Sequence, residues 1–313
     1  MSSEKAQYIV NMMRKMKTMP KPEGPPDYGK RRAFVEARHA QQKTAEGVTF
    51  EALSLGGVEV ECSTPAAPIN GGAVLYLHGG GFVTGSARTS RGYASYLAQA
   101  TGLRVYAVSY RLAPDDPWPA APEDCLAAYK ALLERHPDGK LALVGGSAGG
   151  NLCLSTALRA RDAGLPLPAA LALFSPVGDM TNTLPSRRSN AERDCTIQAD
   201  IDVEHQTAYL QGADPCDPLI SPVYAGLTGF PPMLIYADGS EVLLDDSALL
   251  FAHAQRDGVE AELHITSGLF HDFPSVGSEL PEAAQVMDEV AAFLRRCGCG
   301  KTGKEESYEA PGL

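Results

Sequence analysis

From about residue 48 onward the chain alternates between two kinds of segment. Short apolar runs stand at 48–54, 58–62, 73–77, 104–109, 140–144, 169–174, 232–236 and 260–265. From the third run onward most are separated by helix-length, apolar-periodic stretches such as DCLAAYKALLERH and NLCLSTALRARDAG. Strands that alternate with helices bury both faces as a mostly parallel sheet with helices on either side. Gly56-Gly57 joins the first two runs, which predicts a hairpin and an antiparallel edge. The expected class is therefore α/β, with an eight-stranded, mostly parallel sheet. A chain of 313 residues with 44% hydrophobic content suits one large domain with insertions.

Two segments break the alternation. Residues 1–45 precede it, and about 175–231 form a long excursion between the sixth and seventh runs. Connections of that length carry function or structure of their own. The excursion holds one expected helix, around Gln198–Gln211, among Pro, Asn and Asp punctuation. Both segments are read as cap pieces over the carboxyl ends of the strands, where open α/β sheets bind ligands. The division is then an N-terminal cap segment at 1–45, the main domain at 46–300 and a frayed polar tail, KTGKEESYEAPGL, at 301–313.

Charge and cysteine content narrow the function. A net charge of −11 argues against nucleic acid as a partner, because phosphate binding needs a basic face. Residues 1–45 run the other way, with ten Lys/Arg against four Asp/Glu. NMMRKMKTMPK has some look of a membrane-surface helix, yet the segment lacks the Trp/Phe-rich face of an interfacial anchor. Met12, Met13, Met16 and Met19 are therefore expected to dock on the body as part of the cap. No run approaches the roughly 18 apolar residues of a membrane span, and YIV is far short of a secretory h-region. Seven scattered cysteines do not suggest a disulfide framework and fit a reducing cytoplasm. Cys297 and Cys299 form a lone C-x-C with no second pair, so no metal site is expected.

The chemistry sits at two strand ends. The fifth run ends in LVGGSAGGN, in which Gly145-Gly146-Ser147-Ala148-Gly149 matches the G-x-S-x-G nucleophile elbow. The outer glycines are needed because side chains would collide in so sharp a strand-to-helix turn. A serine at a helix start also meets backbone N–H groups and the positive dipole end. The third run ends in HGGGFVTGS, where three glycines give up packing, so the backbone itself is needed. Acyl transfer by a serine generates an oxyanion that needs N–H donors unobstructed by side chains. Gly80 and Gly81, with the N–H of Ala148, are the expected donors, and His78 is expected to brace the glycine loop. The elbow motif alone is weak and H-G-G-G is rarer by chance; both together in their expected context are stronger than either.

A base and an acid must follow. Of seven histidines, at 39, 78, 136, 205, 253, 264 and 271, His136 and His253 fall in helix-like segments and His264 inside the last run. His271, in SGLFHDF just after the last run, lies at the same sheet edge as Ser147 and is the expected base. For the acid, YADGSEVLLDDS offers Asp238, Glu241, Asp245 and Asp246. Glu241 is favoured as the carboxylate near the strand end that orients the histidine. The order Ser147, Glu241, His271 is that of an α/β-hydrolase. YRLAPDDPWPAAPEDCLAAYKAL reads as architecture: Pro119, Pro122, Glu123 and Asp124 suit a helix start, and Trp118 core packing.

HGGGFxxGS, YRLAP, PAAxED, GxSAGGN, DPxxSP, EVLLDD and HxF occur in this order between about 73 and 273. Together they resemble the hormone-sensitive-lipase-like esterases of the α/β-hydrolase fold. The resemblance implies a helical cap, a serine carboxylesterase acting on short- to medium-chain esters through an acyl-enzyme, and no cofactor. A small-molecule ester is the expected partner, and a homodimer stays open. Three positions depart from the family pattern: Gly146 stands where Asp is usual, Glu241 where Asp is commoner, and Ser109 where an Asp often precedes YRLAP. Two other readings use the same residues. A non-catalytic ligand receptor on this fold would typically lack a triad member, and an amide or lactone hydrolase would use the same machinery.

Overall fold

The computed structural model describes residues 2–19, 24–40 and 42–300. The expected polar tail at 301–313 lies outside the described residues. All eight expected runs are strands, with ends displaced by no more than two residues: β1 (Thr49–Leu55), β2 (Val58–Thr64), β3 (Gly72–Leu77), β4 (Arg104–Val108), β5 (Lys140–Gly146), β6 (Ala170–Phe174), β7 (Met233–Asp238) and β8 (Ala261–Thr266). They form one sheet in the order β1-β2-β4-β3-β5-β6-β7-β8. β1 and β2 are the expected hairpin, and β2 also runs antiparallel to β4. The other pairs are parallel.

Period-two alternation divides the core between the two faces of this sheet. Leu75, Leu143, Leu173 and Ile235 point to one face, where α4 (Ala120–Arg135), α5 (Ala148–Asp162) and α8 (Leu244–Arg256) cover them. Val74, Val144, Phe174 and Leu234 point to the other, under α3 (Arg91–Thr101) and α9 (Pro281–Arg296). The central strands are therefore apolar on both sides and read as continuous hydrophobic runs. Leu143 has no exposed surface, and its replacement by Ala should cost about 2–5 kcal/mol.

The N-terminal segment contributes α1 (Glu4–Lys17) and α2 (Tyr28–His39). Ser3 caps α1 by accepting from Ala6 N at 3.1 Å, and Ser3 Oγ donates to Glu282 on α9 at 3.0 Å. Ala6, Val10 and Met13 lie at helical spacing on the inner side, the first two buried. The docking expected of four methionines is thus only partly observed. Met13 turns inward, whereas Met16 and Met19 lie off this stripe and are exposed. α2 has no fully buried residue and is held by polar contacts. Arg32 donates to the carbonyls of Val83 (2.9 Å) and Ala113 (2.8 Å).

The excursion runs from Phe174 to Met233 and contains α6 (Ser186–Ser189) and α7 (Ala199–Leu210). The expected helix is α7, with Gln198 and Gln211 as its caps. α6 was not anticipated, because one turn gives no periodicity to read. Arg187, on α6, fastens the excursion: it pairs with Asp246 at 3.0 Å and Asp202 at 2.6 Å and donates to the Asp179 carbonyl. Burial pushes the Asp246 carboxyl up to about 6, against the pull of Arg187 and of the Gly178 and Asp179 N–H groups.

Candidate active site

The elbow after β5 is as tight as its glycines imply. Ser147 has φ 54° and ψ −122°, a left-handed strain for a residue with a side chain. Its N–H donates to Phe174 O at 2.8 Å, and its carbonyl accepts from Asn151 N and Val177 N, so surrounding backbone holds the strain. A Cβ on Gly145 would lie 2.7 Å from Leu77 O, and one on Gly149 would collide with the same carbonyl. The elbow therefore packs directly on the end of β3, beside the glycine loop.

In that loop Gly80 and Gly81 have positive φ, 115° and 61°. The Gly80 carbonyl accepts from Val83 N and Thr84 N, both at 3.1 Å, which turns the loop back on itself. Among the described residues the N–H groups of Gly80, Gly81 and Ala148 have no protein acceptor. His78 is buried, stacks on Tyr110 with centroids 4.1 Å apart, and donates from Nδ1 to Gly79 O at 2.8 Å. Tyr110 Oη donates to the His78 carbonyl at 2.7 Å. Burial lowers the His78 imidazole to about 4, so it is neutral and braces the loop.

Beyond β7 and β8, Glu241 and His271 meet. His271 Nδ1 donates to Glu241 Oε2 at 2.7 Å. The other carboxylate oxygen, Oε1, accepts from Ser175 Oγ and Asp238 N, each at 2.9 Å. Glu241 is wholly buried, so every contact of its carboxylate is internal. Burial by itself disfavours a charged His271, but the Glu241 hydrogen bond and charge outweigh it and raise the imidazole above its ordinary range.

The rival carboxylates have other partners. Asp238 accepts from Ser240 N, Thr266 Oγ1 and Leu269 N, each at 3.0 Å, and shapes the loops at the ends of β7 and β8. Asp245 accepts from Ser186 N at 2.7 Å, and Asp246 holds Arg187.

Ser147 and His271 line one cavity of about 500 Å3, together with Gly80 and Gly81. They are not hydrogen-bonded to each other in this structure; catalytic contacts in ligand-free sites often tighten only with substrate. Met13 from α1, Val35 and His39 from α2, and Ile201 and His205 from α7 form other parts of the wall. His39 and His205 were not singled out from the sequence, although their place in the expected cap pieces was a usable signal. Trp118 does not line the cavity; it packs edge-on to Tyr209 and under Arg159. Ser109 Oγ accepts from Ala87 N at 3.1 Å. All seven cysteines are free, and among the described residues no group of three His, Cys, Asp or Glu could hold a metal ion.

Comparison with known proteins bears on the fold and the family. Residues 74–275 match the family described as the α/β-hydrolase fold. An acetyl-hydrolase of Streptomyces hygroscopicus is 37% identical over 246 residues, 78% of this chain and 82% of that protein. An esterase crystal structure from the bacterial hormone-sensitive lipase family superposes with a TM-score of 0.88 at 35% identity, covering 95% of this chain and 99% of that one. A third relative, EstE5 soaked with p-nitrophenyl butyrate, superposes with a TM-score of 0.86 at 35% identity over the same shares of the two chains.

Proposed function

The chain belongs to the α/β-hydrolase fold family, among the hormone-sensitive-lipase-like esterases, and on that premise we propose that it is a serine carboxylesterase hydrolysing short- to medium-chain esters. The observation that carries the mechanism is the convergence on one cavity of a strained Ser147, glycine N–H groups without acceptors, and a His271 held by Glu241.

In this reading His271 Nε2 takes the proton of Ser147 Oγ as it attacks the ester carbonyl. Glu241 keeps the Nδ1–H tautomer in place and stabilises the imidazolium. The N–H groups of Gly80, Gly81 and Ala148 receive the oxyanion, preorganised by loop turns that hold their other atoms. His271 returns the proton to the departing alkoxide, leaving an ester between the acyl group and Ser147. A water then loses a proton to His271 and attacks that ester; as the acid leaves, His271 gives that proton to Ser147 Oγ, which restores both residues.

Residues 1–45 and about 175–231 act as the cap over the domain at 46–300, supported by the contributions of α1, α2 and α7 to the cavity wall. With Met13, Val35 and Ile201 there, the cap supplies an apolar surface for an acyl chain. No helix among the described residues is long and apolar enough to cross a membrane. Free cysteines throughout support a reducing, cytoplasmic setting. Association with a second copy of the chain is tested by sedimentation of the purified protein.

A panel of p-nitrophenyl esters of increasing acyl length, with a matched anilide, tests the proposal. Turnover of acetate to octanoate esters with little on the anilide supports it; preferential anilide cleavage, or no ester turnover, contradicts it.

A further inference from the structure

Asp272 follows the proposed base directly, and the mechanism above gives it no role. Its φ is 54°, a left-handed conformation that asparagine and aspartate tolerate better than most residues with side chains. The conformation sends its carboxylate back beneath the nucleophile elbow. A Cβ on Gly146 would collide with Asp272 Oδ1 and Cγ and lie 2.6 Å from Oδ2, while one on Gly79 would lie 3.4 Å from Oδ2. Gly146 itself has no positive φ. It is glycine because a carboxylate from another loop fills its side-chain space, between the elbow and the glycine loop.

Two further observations make this more than packing. Asp272 lines the cavity that holds Ser147, and its Oδ1 is buried with no hydrogen-bond partner. A buried, unpartnered carboxylate oxygen is costly, and such a group retained at a site is a candidate for work there. Its backbone is also tied to the acid: Asp272 N donates to Ser175 Oγ at 3.0 Å, and Ser175 Oγ donates to Glu241 at 2.9 Å. Ser175 is itself left-handed, at φ 44°.

We propose that Asp272 is a second acidic positioning residue. Seated in the space left by Gly146, it locks the His271 loop against the Ser147 elbow and adds a negative charge that favours the imidazolium formed during acyl transfer. This rests on the esterase reading above. Other charged or titratable groups also face the pair. Glu241 and Asp194 act on His271 alongside Asp272, while the buried Tyr76 and Tyr93 lie toward Asp272 and stay neutral. Burial pushes the Asp272 carboxyl up to about 7 against the pull of His271, so its charge is gained across neutral pH.

The test compares Asp272→Asn, Asp272→Gly and the double variant Gly146→Asp/Asp272→Gly, using p-nitrophenyl butyrate kinetics across pH and an NMR titration of the His271 imidazole. Asp272→Asn keeps the shape and removes the charge. It should lower the His271 midpoint and the acidic limb of kcat/KM by about one unit and reduce kcat about tenfold, with KM little changed. The double variant returns a carboxylate to the same space from the opposite side and should recover most of what Asp272→Gly loses. An Asp272→Asn enzyme with unaltered kcat and His271 midpoint overturns the proposal. So does a double variant no better than Asp272→Gly while both remain folded by circular dichroism. If the unmodified protein turns over no ester but its His271 midpoint still falls in Asp272→Asn, the esterase reading fails and the charge coupling stands.

Discussion

Glu241 accepts from His271 Nδ1 at 2.7 Å with one oxygen and from the Ser175 hydroxyl and the Asp238 N–H on the other, so its carboxylate has one orientation. That leaves Nε2 of His271 as the nitrogen able to take a proton from the cavity side. The pair spans the ends of β7 and β8, which the sheet brings side by side with Asp238 opposite Thr266.

Replacing Glu241 by Gln should lower kcat by about 10⁴, because an amide lets the imidazole settle in the wrong tautomer. Asp245→Asn should cost far less, its carboxylate being engaged with Ser186. Asp238→Asn should chiefly lower the melting temperature, since Asp238 fixes the loop leading to Leu269. Steady-state kinetics and thermal melts of the three variants check this. A greater loss of kcat in either aspartate variant than in Glu241→Gln would reassign the acid.

The pH dependence follows from the same pair. General base catalysis needs neutral imidazole, and Glu241 holds the charged form beyond the ordinary 6.5. kcat/KM should therefore climb with pH along an acidic limb whose midpoint lies above 6.5, and Glu241→Gln should bring that midpoint down. A wild-type profile already flat at pH 6 would show that His271 is not raised in the working enzyme.

How much of this was legible in the sequence differs by element. The strands announced themselves because Leu75, Leu143 and Leu173 face one helix layer while their neighbours face another, leaving uninterrupted apolar runs. Ser147 and its glycines were legible because close backbone packing permits few residue types. Asp272 was not, although HDF and the unusual Gly146 stood in plain view. Their relation is a contact between loops 126 residues apart, which no local pattern encodes. The inner face of α1 was misjudged for a related reason: the methionines at 12, 13, 16 and 19 fall on one helical stripe, but the face that packs on the body is rotated away from it and follows Ala6, Val10 and Met13.

Removing residues 1–19 should change acyl-chain preference, because Met13 lines the cavity and Lys17 anchors α1 by donating to Ala191 O at 2.8 Å. Relative kcat/KM for butyrate and octanoate esters, with co-sedimentation of the full-length protein on anionic vesicles, checks the point. An unaltered chain preference together with salt-sensitive vesicle binding would make the segment a membrane anchor instead.

The most direct test of the central claim is covalent. A fluorophosphonate should label the protein once, on the peptide containing Ser147, and esterase activity should fall in step with labelling. Ser147→Ala should take no label at that site and lose about a millionfold in kcat while melting as the parent does. A label on another residue, or a folded Ser147→Ala protein that still hydrolyses p-nitrophenyl butyrate at more than a few per cent of the parent rate, would contradict the account.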